Sequence, residues 1–371
     1  MKRLNAVSGL LGGLAVFGWA AVLGLPWIEL QPNRIASGDP VFLGRSHPVW
    51  AAAVLALWLL PAVLALKPGW QRAARRAAWC VCVFLPVALL FAAGVSGTQN
   101  GAARIALSWG FWCTVLVGAS GSVLLSGAWS RAARRIASLS AALLIGAGLA
   151  SGVFSPLSLL REYAAQAGTF WTEVGNHLAL SGLAVAAGSL AGLLAGYGAS
   201  RLPPLRKGLF FFLNVVQTLP SLAVFGLLIA PLAALGVGGV GPTPAVLVLS
   251  VYAAFPVARA AVTAIDQLDP AVLDVGRGLG MAKGQLLFQV QIPLALPVVI
   301  QGLRTASVQT IGNTVVAALI GAGGLGSLIF IGLGQFAPDL ILLGTLPALA
   351  LALAADQLWA GIASLVSWRT S

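Results

Sequence analysis

Few residues here could do chemistry. The chain has 371 residues with only nine Asp or Glu, two His and three Cys. No group of them has the spacing of a catalytic or metal site. Two kinds of candidate remain. Polar or helix-breaking residues sit at membrane depth in apolar runs: Gln217, Thr218 and Pro220 in one, Gln309, Thr310 and Asn313 in another. Lipid would penalise their polar groups, so they line a path or bond between helices, and the residues alone do not choose. A charged pair, Arg304 and Asp356, also falls inside apolar runs, where an unpaired charge is expensive. Arg304 stands eleven residues past Pro293, about 16 Å along a helix. We expect the two to pair or to share a polar cavity near the cytoplasmic end.

Nucleotide chemistry finds no support. GAGGLG, residues 321–326, matches G-x-G-x-x-G, but the run before it is a membrane span and no ribose-binding acid follows about 20 residues on. A flexible outer turn or gate is the better reading. No G-x-x-x-x-G-K-[ST] occurs, the lysines being Lys2, Lys67, Lys207 and Lys283. This chain is therefore not read as an enzyme, and any ATP hydrolysis belongs to another polypeptide. Cys80 and Cys82 point about 200° apart on a helix and, with Cys113, read as packing residues. Gly188, Gly192 and Gly196 repeat every four residues, allowing close approach of a helix of the same chain or of a second subunit. His177 and Trp171 read as anchors at an outer membrane boundary.

The elements that carry these residues follow from composition. With 59 % hydrophobic and 8 % charged residues and a mean hydropathy of +0.96, the chain is an integral membrane protein, and its recurring runs of about 18 to 25 apolar residues predict helices rather than barrel strands. Ten spans are expected, at about 7–27, 48–66, 77–95, 105–128, 136–154, 178–198, 208–232, 244–262, 293–320 and 339–362. An uncleaved first helix is preferred to a signal peptide. With the N-terminus inside, seventeen of the 21 Lys and Arg face the cytoplasm, leaving Arg34, Arg45, Arg104 and Arg161 outside. Leaving out Arg259 and Arg304, which lie within spans, does not reverse that bias. The basic clusters report orientation and not nucleic-acid binding. Both termini and the segment 263–292 are then cytoplasmic.

That segment is unusually polar for this chain: DQLDPAVLDVGRGLGMAKGQLLFQVQIPLALP, residues 266–297. Asp269 before Pro270 is a helix start, and Gly280 can end that helix in a left-handed conformation. A second short helix over MAKGQLLFQVQ would present Leu286, Leu287 and Val290 as a narrow apolar face. Such a projection suits the grip of a soluble partner.

The spacing also resembles the EAA loop of ABC importer permeases, E-A-A, three residues, G, nine residues, I-x-L-P. Asp274 stands at the glutamate, Val275 and Gly276 at the alanines, Gly280 at the glycine, Val290, Ile292 and Pro293 at the closing I-x-L-P. The first triplet departs from the pattern, Asp274 being one methylene shorter. In that family the loop docks on the ATP-binding subunit, and the resemblance implies the same here. Over about 200 residues, NVVQTLPSLAVFGLL, GPTPAVLVLSVYAAFPVARAAVTAIDQLDPAVLDVGRGLGM and GLRTASVQTIGNTVVAALIGAGGLGSLIFIGL are similar to the osmoprotectant branch, which imports glycine betaine, choline and carnitine. The extra N-terminal spans resemble its longer permeases.

The expectation is an all-α polytopic membrane protein with an N-terminal membrane region, 1–168, and a type I importer permease core of five helices, 169–371, carrying the coupling loop 266–292. The resemblance implies a separate ATPase that holds ATP and Mg, an external binding protein, and a second permease copy or paralogue, with this chain in the bacterial inner membrane. No cofactor is expected on this chain. An ion-coupled secondary transporter is the alternative; it would favour more charges at mid-membrane and repeated halves.

Overall fold

The computed structural model describes residues 2–33, 38–67, 69–100, 104–236 and 238–370. Arg34, counted above among the outer basic residues, lies outside them. The chain divides into two compact units, Met1–Ala165 and Gln166–Ser371.

The N-terminal unit contains α1 (Lys2–Gly24), α2 (Leu43–Ser46), α3 (Pro48–Leu66), α4 (Gln71–Asn100), α5 (Trp109–Leu124) and α6 (Arg131–Ala150), and α7 (Ser158–Arg201) begins within it. Three short strands join them: β1 (Ile28–Gln31), β2 (Asp39–Val41) and β3 (Arg104–Leu107) form an antiparallel sheet in the order β2, β1, β3. No strand was expected from the sequence, because three or four residues are too few to show an alternating pattern against an apolar background. Residues 105–107, expected at the start of a span, are strand instead, and α5 has 16 residues. α1 packs on α3 and α5, and α4 on α3, α5 and α6. Trp27, Trp58, Phe154 and Ile105 are buried at the centre. Cys82 is buried, and a Cβ at Gly118 or Gly121 of α5 would strike it, so this cysteine is a packing residue.

The C-terminal unit contains the rest of α7, then α8 (Pro203–Thr218), α9 (Ser221–Ala234), α10 (Pro242–Asp266), α11 (Pro270–Gly278), α12 (Lys283–Leu286), α13 (Ile292–Ala317), α14 (Gly326–Gly334) and α15 (Pro338–Thr370). Proline opens α8, α10, α11 and α15, where its missing N–H is no loss. The centre is α10, packed on α8, α9 and α13, with α13 in turn packed on α15.

Three expected spans take a different form. The span 208–232 is broken, α8 and α9 meeting at 109° across Leu219 and Pro220, because a residue before proline is pushed out of the helical region and proline cannot donate to the turn behind it. The span 178–198 is the second half of a 44-residue helix, about 66 Å long, whose first half lies ahead of the expected span. The second loop helix is not separate from the span at 293. It runs through a π-helical turn, Leu287–Gln291, into α13. Pro293 has no N–H for the carbonyl of Gln289 and its ring crowds it, and a π turn relieves both.

Among the described residues seven helices are long and apolar enough to cross a membrane, and the bent pair makes an eighth. Two shorter apolar helices, Gly9–Gly24 and Trp109–Leu124, accompany them.

Candidate functional site

The 266–292 loop is a compact hairpin of short helices. The Asp269 carboxylate accepts from the Ala271 N–H at 2.9 Å and caps α11. Gly280 adopts φ +78°, and the Met281 N–H returns to the Gly276 carbonyl at 3.2 Å, the left-handed turn that stops the helix. The Ala282 N–H donates to the Gln285 side chain at 2.9 Å and starts α12. Gly276 is buried: a Cβ there would meet Leu286 Cδ1 at 2.6 Å, so the glycine leaves room for Leu286 to seat against α11.

This packing changes which side chains face outward. Leu286 is only 6 % exposed, and Leu287 and Val290 are not fully open, so the face expected from the second helix is led inward by Leu286. The open apolar stripe is on α11, where Val272, Val275 and Leu279 follow i, i+3, i+7 spacing and are 42 %, 64 % and 77 % exposed. Phe288 adds another open ring. Ile292 is exposed, and Asp274 is paired with Arg277 at 2.6 Å on the loop surface. Pro293 sits in the first turn of α13. The i, i+3, i+7 spacing is present in the sequence, but so is the i, i+1, i+4 cluster on the next helix, and only the fold shows which of the two is open.

The polar residues within the apolar helices form two groups. Gln309 Nε2 donates to Gln217 Oε1 at 3.0 Å, and Gln217 Nε2 donates to the Tyr252 carbonyl at 3.0 Å. The Tyr252 hydroxyl donates to the Leu219 carbonyl at 2.8 Å, at the break between α8 and α9. This chain supplies partners to backbone that the break frees, as polar groups at membrane depth require. Tyr252 was not singled out from sequence, since only the break gives its hydroxyl a purpose. Thr218 bonds back to Val215 of its own helix, Pro220 caps α9 and is exposed, Thr310 is buried, and Asn313 is half-buried. None of these four joins the chain of hydrogen bonds just described.

Arg304 and Asp356 meet as a two-point pair between α13 and α15, Nε to Oδ1 at 2.6 Å and Nη2 to Oδ2 at 2.7 Å. Next to them Trp359 Nε1 donates to the Ser307 hydroxyl at 2.9 Å. The pair borders a cleft of about 570 Å³ that Gln309 also lines.

The GAGGLG turn has positive φ at Gly321, Gly323 and Gly324, and the Gly324 N–H donates to the Glu173 carboxylate. It is a clasped turn and not a loose one. His177 is fully buried, with Nε2 donating to the Ile311 carbonyl at 3.1 Å. It is an interhelical packing residue, which corrects the reading as a membrane-boundary anchor, while Trp171 is exposed. Helix periodicity placed both near a boundary and could not show what covers them.

Residues 188–364 match the family described as the binding-protein-dependent transport system inner membrane component. Residues 7–160 match the N-terminal domain of ABC transporter permease YehY. The chain is 40 % identical over 183 residues to the osmoprotectant import permease protein OsmW of Salmonella typhimurium, covering 49 % of this chain and 85 % of that one. It is 36 % identical over 188 residues to the glycine betaine/carnitine/choline transport system permease protein OpuCB of Bacillus subtilis, covering 51 % and 84 %. The chain belongs to the osmoprotectant ABC importer permeases. An inward-facing structure of the MetNI methionine ABC transporter superposes with a TM-score of 0.50 at 18 % identity, over 54 % of this chain and 98 % of that one, a likeness of fold alone.

The permease is thus a long form of that branch, a multi-pass inner-membrane transport subunit and not an enzyme. In its C-terminal unit the glycine stripe of α7 lies against α10: a Cβ at Gly192 would meet the Ala254 carbonyl at 2.6 Å, and one at Gly196 the Ala258 carbonyl at 2.7 Å. Of the two readings left open by the repeat, the structure shows packing within the permease chain itself.

Proposed function

We propose that the permease imports glycine betaine or a related quaternary-ammonium osmolyte, driven by a separate ATPase that grips the 266–292 loop. What carries this reading is the α11 stripe of Val272, Val275 and Leu279, an apolar face left open on a polar hairpin that is itself well capped. An apolar face of this kind on a short, rigid element suits a groove in a soluble partner. The bias of seventeen basic residues against four supports a cytoplasmic loop and cytoplasmic termini. ATP and Mg²⁺ would be held by the partner, whose closure would move the hairpin and, through the π turn, α13. An external binding protein delivers the solute, and a second copy or a paralogue completes the pathway. The names of the relatives, permeases for glycine betaine, carnitine and choline, support the solute class.

The test is affinity purification of the tagged permease in mild detergent, comparing wild type with Leu279→Asp and Gly280→Asp. Leu279 is among the most exposed side chains of the loop, so Leu279→Asp leaves folding and membrane level unchanged. Recovery of an ATPase with wild type and at least about tenfold less with Leu279→Asp is the expected result. Equal recovery with both variants would remove the loop from the contact, and no ATPase under any stabilising condition would refute ATP-driven coupling.

A further inference from the structure

We propose that the cleft beside Arg304 and Asp356 binds the solute as a zwitterion, its carboxylate on Arg304 and its quaternary ammonium group beside Asp356. The proposal rests on the uptake reading above and deepens it. Among the described residues, three other charge pairs differ from this one in setting. Arg104–Glu162 is nearly closed, with side-chain exposures of 18 % and 2 %, whereas Arg206–Asp266 and Arg277–Asp274 are open on the surface. Arg304–Asp356 lies within two membrane-crossing helices and is still 34 % and 27 % exposed.

An ion pair opened to lipid would be heavily penalised, so this face must meet water or protein. The cleft holds about 570 Å³ and is lined by Gln301, Arg304, Thr305, Val308, Gln309 and Asp356, within the range of about 300 to 1,000 Å³ usual for small-molecule sites. The bonds to Asp356 use two of the five N–H donors of the guanidinium. The remaining edge can take a second carboxylate, and each Asp356 oxygen, accepting one bond from Arg304, keeps a further lone pair. Charge balance selects the ligand: a neutral pair between two membrane-crossing helices receives a zwitterion without any net charge being added, whereas a lone cation or anion would leave one charge unmatched. Gln309 continues from the cleft to Gln217 and the α8–α9 break, so the site adjoins an element already bent.

The test uses the permease with its co-purified partners in lipid. Thr305→Cys is labelled with N-ethylmaleimide, over the background of Cys80, Cys82 and Cys113 in the parent chain, with and without excess glycine betaine or choline. The same is done in the neutral double variant Arg304→Gln/Asp356→Asn, which leaves no unpaired charge, and uptake of both solutes is measured in parallel. We expect glycine betaine to slow labelling about tenfold with the native pair, choline to slow it less, and neither to do so in the double variant. Absence of protection by glycine betaine, or equal protection in the double variant, overturns the site. Should the double variant fail to assemble, protection in the native pair still decides, and equal protection by choline overturns the zwitterion preference. Onium uptake without protection overturns the site alone, while a wild type that takes up no onium solute overturns the uptake reading as well.

Discussion

In the N-terminal unit Arg104 meets Glu162 at 2.6 Å between the start of β3 and the first turns of α7, and the carboxylate is almost fully buried. In the C-terminal unit Arg304 meets Asp356 between the middle of α13 and the middle of α15, and both remain about a third exposed beside a cleft. The first pair fastens a strand to a helix; the second lies open beside a cleft, where we propose that the solute binds. The same contrast holds for the backbone. The N-terminal unit gathers polar connections in a small sheet, with Ser108 donating to Glu29 at 2.7 Å. The C-terminal unit breaks a span and answers the break with Tyr252, Gln217 and Gln309. Closed polar contacts stabilise, and open ones leave room for function.

The largest expected effect tests the closed pair. Arg104→Leu takes the guanidinium away from the buried Glu162 carboxylate and should lower stability by about 3 kcal/mol, seen as a fall in the unfolding temperature in detergent. A melt unchanged from wild type would erase the contrast between the pairs. Next is Gly192→Val, whose side chain would strike the Ala254 carbonyl and push α7 from α10; about 2 kcal/mol is expected. Gly182, where a Cβ would meet nothing within 4 Å, is the control, and Gly182→Ala should stay within about 0.5 kcal/mol.

Gly280→Ala should cost about 1 kcal/mol, because Gly280 holds φ +78°. The measurement is ATPase recovery on the affinity column, and undiminished recovery would show that the turn tolerates a side chain. The smallest loss is expected of Tyr252→Phe, which removes the bond to the Leu219 carbonyl and should lower stability by about 0.6 kcal/mol. A larger loss would mark the break as a more critical joint than its single hydroxyl suggests.

Much of the loop was legible because its devices are local. Asp269–Pro270 as a helix start and Gly280 as a stop depend on neighbours within a few residues. The outward face was misread because Leu286 packs over Gly276 across the hairpin, a contact that periodicity on one helix does not contain. The three strands and the bent span were missed for related reasons. A four-residue strand has no measurable period, and the proline at 220 marked a special position without giving an angle.

Composition, the length of the apolar runs and the distribution of basic residues were enough to determine a polytopic helical membrane protein, because lipid allows few ways to satisfy a backbone. The resemblance of the loop to the EAA motif is what pointed to an importer permease. Only the tertiary structure decided that Arg304 and Asp356 share a cleft, that His177 is buried, and that the α7 glycines pack on α10. Those are contacts between residues far apart in the chain, set by how helices cross rather than by the pattern along any one of them.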